Sequence, residues 1–168
     1  VNAFYVAAEF AAVSVRRNMI REMAENGSRV AVHLLKILEN TKELDRYIAA
    51  CQFGITISSL VLGAYGQVEL AAYLFPLFER FGGMDSVMAN SAAALVVLIG
   101  LTVFQVILGE LMPKSLALQF PKQAALYTYY PMRWTLAFFA WFIDFLNGSG
   151  LLLLKLFRLP PGGHQHIH

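Results

Sequence analysis

The sequence predicts an all-α integral membrane domain, with three transmembrane helices and a belt of juxtamembrane and interfacial helices. Three observations predict it. Hydrophobic residues make up 58% of the 168-residue chain and charged residues only 14%, against roughly 45–50% and 25% in soluble domains. Two stretches, 47–68 and 86–108, carry no formal charge, and about 20 such residues suffice to cross a bilayer core. The remaining cations are segregated: seven Lys/Arg fall within 16–46, and only Arg80 lies between 69 and 85.

The first span is Val1 to Val15, closed by Arg16 and Arg17. At 1.5 Å per residue it covers about 22 Å of a core about 30 Å thick. Residues 16–46 are strongly charged and helical in period, with Val30, His33, Leu34, Ile37 and Leu38 on one face and Gly27-Ser28 as a break. They read as a helical hairpin at the cytoplasmic surface. The second span is 47–68, and the third runs from Ser86 to about Met112. Residues 1–120 thus form the transmembrane core, 121–159 the belt, and 160–168 a linker rich in Pro and Gly. The stretch 134–154 is open to two readings, because basic and aromatic residues flank it while Asp144 and Asn147-Gly148-Ser149-Gly150 interrupt it. We prefer a broken interfacial helix to a fourth span. The positive-inside rule then puts 16–46 and the C-terminus in the cytoplasm and the N-terminus outside.

Several function classes fall away. A net charge of +2 without interleaved basic and aromatic residues gives no nucleic-acid signature, and the single Cys51 excludes an internal disulfide framework. No set of paired carboxylates, Ser/His/Asp or Cys/His sits at one membrane depth, so an enzyme is not expected. His164, His166 and His168 alternate as a metal site does, yet they follow Pro160-Pro161-Gly162-Gly163 and read as a solvated tail. The chain starts with Val and ends in a linker, which suits a fragment of a longer protein.

Polar groups within the spans carry the functional signal. Pro113 has no N–H, so an α-helix running through it leaves the Gly109 carbonyl without its donor, beside the Glu110 carboxylate. That combination offers hard oxygen ligands to a cation at membrane depth. The competing reading pairs Glu110 with Lys114 at i, i+4, although Lys114 can equally extend to the cytoplasmic surface. On the second span Gln52, Thr56, Ser59 and Gly63 share a face, either packing helices or lining an ion path. Glu9 in the first span calls for either a basic partner or a place on that path. Ser14 lies near the cytoplasmic end, and Ala7, Ala8, Ala11 and Ala12 make a small packing face.

Three stretches, Ala7-Ala8-Glu9-Phe10-Ala11-Ala12-Val13-Ser14-Val15-Arg16-Arg17, Leu44-Asp45-Arg46-Tyr47-Ile48-Ala49-Ala50-Cys51-Gln52-Phe53-Gly54-Ile55-Thr56 and Gly109-Glu110-Leu111-Met112-Pro113-Lys114-Ser115-Leu116-Ala117, resemble the membrane domain of the CorC/CNNM magnesium transporters. The resemblance implies a homodimer in the cytoplasmic membrane, with a CBS nucleotide-binding module beyond the linker. It implies Mg²⁺ as the transported ion, moved outward, with Na⁺ as candidate coupling ion, and we expect transport by alternating access around the site. It also implies Ser14, Glu110 and Gly109 as ligands. Where the family has a Ser-Glu pair this chain has Ala8-Glu9, and where it has an Asn-rich motif this chain has Gln52 through Thr56. The expected ligand set is therefore Glu110, Gly109, Ser14, Gln52 and Thr56, with Pro113, Lys114 and Glu9 shaping or gating the site. A membrane anchor or sensor that transports nothing, its polar groups only packing a dimer, is the alternative.

Overall fold

The computed structural model describes residues 1–82 and 85–156, and among these every element is helical. The chain runs through α1 (Asn2–Ser14), α2 (Arg17–Glu25), α3 (Arg29–Glu39), α4 (Thr41–Gly82), α5 (Ser86–Phe104), a π-helical segment (Gln105–Leu111), α6 (Met112–Gln119) and α7 (Pro121–Leu156). The all-α membrane class is what the structure presents. Two runs, Thr41–Arg80 and Ser86–Gln119, are long and apolar enough to cross a membrane. The first stretch also folds as a helix, of 13 residues within the sequence given.

Local chemistry explains the boundaries. Gly27 adopts φ 87°, which a residue without Cβ takes at no steric cost. The Gly27 N–H then bonds Ala24 O at 3.1 Å and the Ser28 N–H bonds Met23 O at 3.0 Å, closing α2 with the paired bonds of a Schellman motif. Ser28 immediately caps α3, accepting from the Ala31 N–H. The predicted break at Gly27-Ser28 therefore has a complete hydrogen-bond account. Asp85 caps α5 through the Met88 N–H at 2.8 Å.

Three expected boundaries move. The second span does not stop at residue 68; α4 continues to Gly82 through Pro76, so about 20 Å of helix extends past Val68. Residues 41–46 belong to α4 rather than to the hairpin. The stretch 134–154 is not broken at 147–150, because α7 runs through it to Leu156. Tertiary context overrides the local propensity of Gly and Asn to end a helix here.

α1 is the hub. Ala8, Ala11 and Ala12 are buried, and α1 packs against α4, α6 and α7 at once. The core around them joins Tyr47, Ala50 and Cys51 of α4 with Ala117 of α6 and Ala125, Tyr129, Met132 and Ile143 of α7. α2 and α3 fold back on each other, burying Ile20 from one and Ala31, Leu34 and Leu38 from the other, with Arg21 bridging to Glu39 at 2.6 Å.

α7 crosses α4 instead of running along it. Met132 meets Cys51, Phe139 and Phe142 meet Phe53, and Asp144 pairs with Arg46 at 2.9 Å. About 18 Å of α7 is thus matched to about 10 Å of α4, and the order of contacts doubles back. The outward face of α7 carries Trp134, Phe138, Trp141 and Phe145 at helical steps, all exposed.

α1 packs tightly on α4 at Gly54, where an added Cβ would fall 2.5 Å from the Tyr5 ring. The Tyr5 hydroxyl lies 3.3 Å from Thr135 Oγ1 of α7, so the ring cannot move without disturbing a second contact. Gly54→Ala is expected to destabilise the fold by about 1–3 kcal/mol through overpacking. The readout is thermal unfolding in detergent, and an unchanged melting temperature would refute the close packing.

Candidate cation site

Pro113 does not break the third long helix. The turns before it widen into the π-helical segment, whose last bond runs from the Met112 N–H to Ile107 O. In that register the next acceptor is Leu108 O, and its donor would be the N–H that Pro113 lacks. The expected break is thus replaced by a slip of one residue, which transfers the acceptor facing Pro113 from Gly109 to Leu108. Such π segments concentrate at functional sites because they displace side chains and backbone from regular positions.

Around this segment the structure gathers polar groups from three helices. Asn2 of α1 lies against Gly109, where an added Cβ would be 3.0 Å from Asn2 Nδ2. The Ser58 hydroxyl on α4 is 3.1 Å from Asn2 Oδ1, and Gln105 Nε2 donates to the Ser59 hydroxyl. Asn2 Nδ2 is buried without a hydrogen-bond partner among the described residues. A cavity of about 530 Å³ opens here, lined by Asn2, Ser58, Gln105 and Gly109 among the apolar walls of Phe53, Ile57, Phe104 and Leu108.

The predicted ligands are distributed differently. Glu110 is exposed on the surface of the single chain, and no Glu110–Lys114 ion pair forms among the described residues. The Lys114 ammonium instead stands 4.5 Å from the centre of the Phe10 ring on α1. Gln52 and Thr56 are exposed as well, with the Thr56 hydroxyl donating to Gln52 O at 2.9 Å. Gln52 is the polar neighbour of the half-buried Glu9. Ser14 donates to its own helix at Phe10 O. With Asn2 level with Gly109, Ser14 lies about 15 Å further along the axis than Glu110. One chain therefore brings Gly109 to the polar cluster, places Glu110 beside it facing outward, and leaves Ser14 remote from both. The three terminal histidines lie outside the described residues.

Asn2 and Ser58 were not singled out by sequence patterning. A polar residue opening an apolar helix looks like a cap, and a serine beside the 52–56–59–63 stripe looks like packing. Their meeting depends on how α1 docks on α4.

Long apolar helices that converge on amides and hydroxyls, next to a π-helical segment, define an all-α membrane domain. Residues 1–168 match the family described as the cyclin M transmembrane N-terminal domain. The UPF0053 protein YhdT of Bacillus subtilis is 39% identical over 100% of this chain, which covers 36% of that protein. YugS of the same organism is 37% identical over 94% of the chain and 36% of its own length. A Haemophilus influenzae protein named as a polyamine export protein is 22% identical over 94% of this chain and 35% of its own. The chain belongs to the CNNM (UPF0053) family of membrane proteins. It spans about a third of the length of these relatives.

Lys114→Met keeps the aliphatic stem but removes the charge over Phe10. It is expected to cost about 0.5–1 kcal/mol, read as a lowered unfolding midpoint in detergent. A shift no larger than that of Lys122→Met would show that the ring contact contributes nothing.

Proposed function

We propose that this chain is the ion-conducting membrane domain of a Mg²⁺ transporter that exports the ion from the cytoplasm by alternating access, with Na⁺ as the coupling ion. The observation that carries the reading is the Pro113-centred segment. It sets a backbone oxygen without a donor, a cluster of amides and hydroxyls, and the carboxylate of Glu110 along one stretch of an otherwise apolar helix. A carboxylate at membrane depth is costly unless it faces water, a cation or a partner, and Lys114 is committed to Phe10.

Among the described residues, no three His, Cys, Asp or Glu side chains converge. A cation here is held by Glu110 and neutral oxygens: the backbone of 108–109, and Gln52 and Thr56 on the exposed face of α4. Mg²⁺ suits such a set because it keeps several waters and takes few carboxylates. The outward placement of Glu110, Gln52 and Thr56 favours a homodimer in which a second copy closes over these faces. Glu9, beside Gln52, is the gating charge in this scheme, and Ser14 contributes further along the path. The domain works in the cytoplasmic membrane under a CBS module carried elsewhere in the protein, and α7, lying across α4, forms the belt between them.

Glu110→Gln in the full-length protein, reconstituted into liposomes under Mg²⁺, Mn²⁺ and Na⁺ gradients, is the direct test. Flux is expected to fall by roughly tenfold or more, each tenfold being about 1.4 kcal/mol of lost ion stabilisation. Undiminished Mg²⁺ flux with a properly assembled variant would reject the site, and loss of dimer stability alone would favour the anchor reading.

A further inference from the structure

The cation nearest in sequence to Glu110 is Lys114, and two partners lie within its reach. In this structure its ammonium stands 4.5 Å from the centre of the Phe10 ring on α1. The other partner is Glu110 itself. The steps from Glu110 to Lys114 pass from the π-helical segment into α6. At roughly 80° per residue in the first and roughly 100° in the second, they make about one full turn. Both side chains therefore leave the same face of the helix, about 6 Å apart along its axis, and both are exposed there. A lysine stem spans that separation, and an acid one turn ahead of a lysine is the favoured order for an i, i+4 pair. The two partners are also close in strength. At exposed positions the pair is worth about a factor of two and the ring contact about two- to fivefold, so a small change in balance moves the ammonium. Phe10 packs against the buried core, which makes its ring a fixed dock, and Glu110 forms no ion pair among the described residues.

We propose that Lys114 is a tethered competitor of the transported cation: it covers Glu110 when no metal ion does, and withdraws to Phe10 to admit one. The inference rests on the transport reading above and adds how the site is kept neutral and loaded. A bare carboxylate at membrane depth is costly, and a long flexible side chain neutralises it without moving a helix. An ammonium donates hydrogen bonds to the same oxygens that a metal ion ligates, yet it is bound to the chain and is not carried away. In the orientation given by the positive-inside rule, Lys114 lies one turn to the cytoplasmic side of Glu110. The ammonium thus stands on the side from which an exported ion arrives. A dication outbids a single positive charge for the carboxylate, and the Phe10 ring receives the displaced ammonium where the surroundings are otherwise apolar.

The test is the half-saturation of Mg²⁺ flux by Mg²⁺ on the cytoplasmic side, in liposomes containing the full-length protein. Phe10→Leu removes the dock but keeps an apolar side chain in its place. It is expected to raise the half-saturating concentration about two- to fivefold, the worth of the ring contact. Lys114→Met removes the competitor and should lower that concentration. The double variant decides between mechanisms, because Phe10→Leu should have no effect on half-saturation once Lys114 is replaced. An equal increase in both backgrounds would trace the effect to packing and overturn the proposal, as would no increase in either. The Lys114→Met arm needs no change at Phe10, and a half-saturation at or above the wild-type value there would overturn the proposal by itself. Any of these results, with flux still lost in Glu110→Gln, leaves the transport reading standing. If Glu110→Gln transports normally, the transport site fails and the competitor fails with it.

Discussion

In hydrocarbon a backbone N–H or C=O has no water to turn to, so a spanning helix must satisfy each one internally. Pro113 removes one donor from the third long helix, and the local structure answers that removal. The helix does not stop, because stopping would expose several carbonyls at once. It widens from Gln105 to Leu111, which confines the deficit to a single acceptor register and rotates Gly109 toward α1. The close approach of Asn2, the Gln105–Ser59 bond and the cavity between them all sit on that widened turn.

The second requirement is that something thin lie against the widened turn. α1 meets it by presenting Ala8, Ala11 and Ala12 to its neighbours, since small side chains let membrane helices approach closely. Bulk is displaced to the periphery: the aromatic stripe of α7 and the apolar faces of α4 and α5 point outward, where lipid accepts them without penalty. Arg46 and Asp144 tie α7 to the lower end of α4. A partly exposed pair of this kind contributes little stability, so its effect is on where α7 crosses rather than on how tightly it holds.

How much of this was legible in the sequence follows from the range of each interaction. Composition and uncharged runs disclose an all-α membrane domain because hydrophobicity is summed over a whole segment. Gly27-Ser28 and the alanine face are legible because a cap or a small stripe is a local pattern. The continuity of α7 through Gly148 and of α4 through Pro76 was not legible, since local propensity argues for a stop that the folded chain does not make. The π register is a more instructive case. A proline after an acid announces a disturbed backbone, but whether the disturbance is a break or a slip depends on what packs against it. Asn2 and Ser58, 56 residues apart, meet only through tertiary docking, which no periodicity encodes.

Glu110 poses the sharpest question about the functional unit. Its neighbour in sequence, Gly109, faces α1 and the cavity, and even the wider π turn rotates by roughly 80° per residue, so Glu110 points elsewhere and is exposed. The i, i+4 cation that would neutralise it is turned to Phe10. An isolated carboxylate on a lipid-facing surface costs several kcal/mol, more than a marginally stable domain gives up without return. The single chain therefore presents an unfinished electrostatic arrangement. The function proposed above would complete it without moving the helices, through a cation held against the backbone oxygens of the widened turn and a second copy covering the exposed α4 face. In that proposal ion binding and association act together, because each supplies what the Glu110 carboxylate lacks in the single chain.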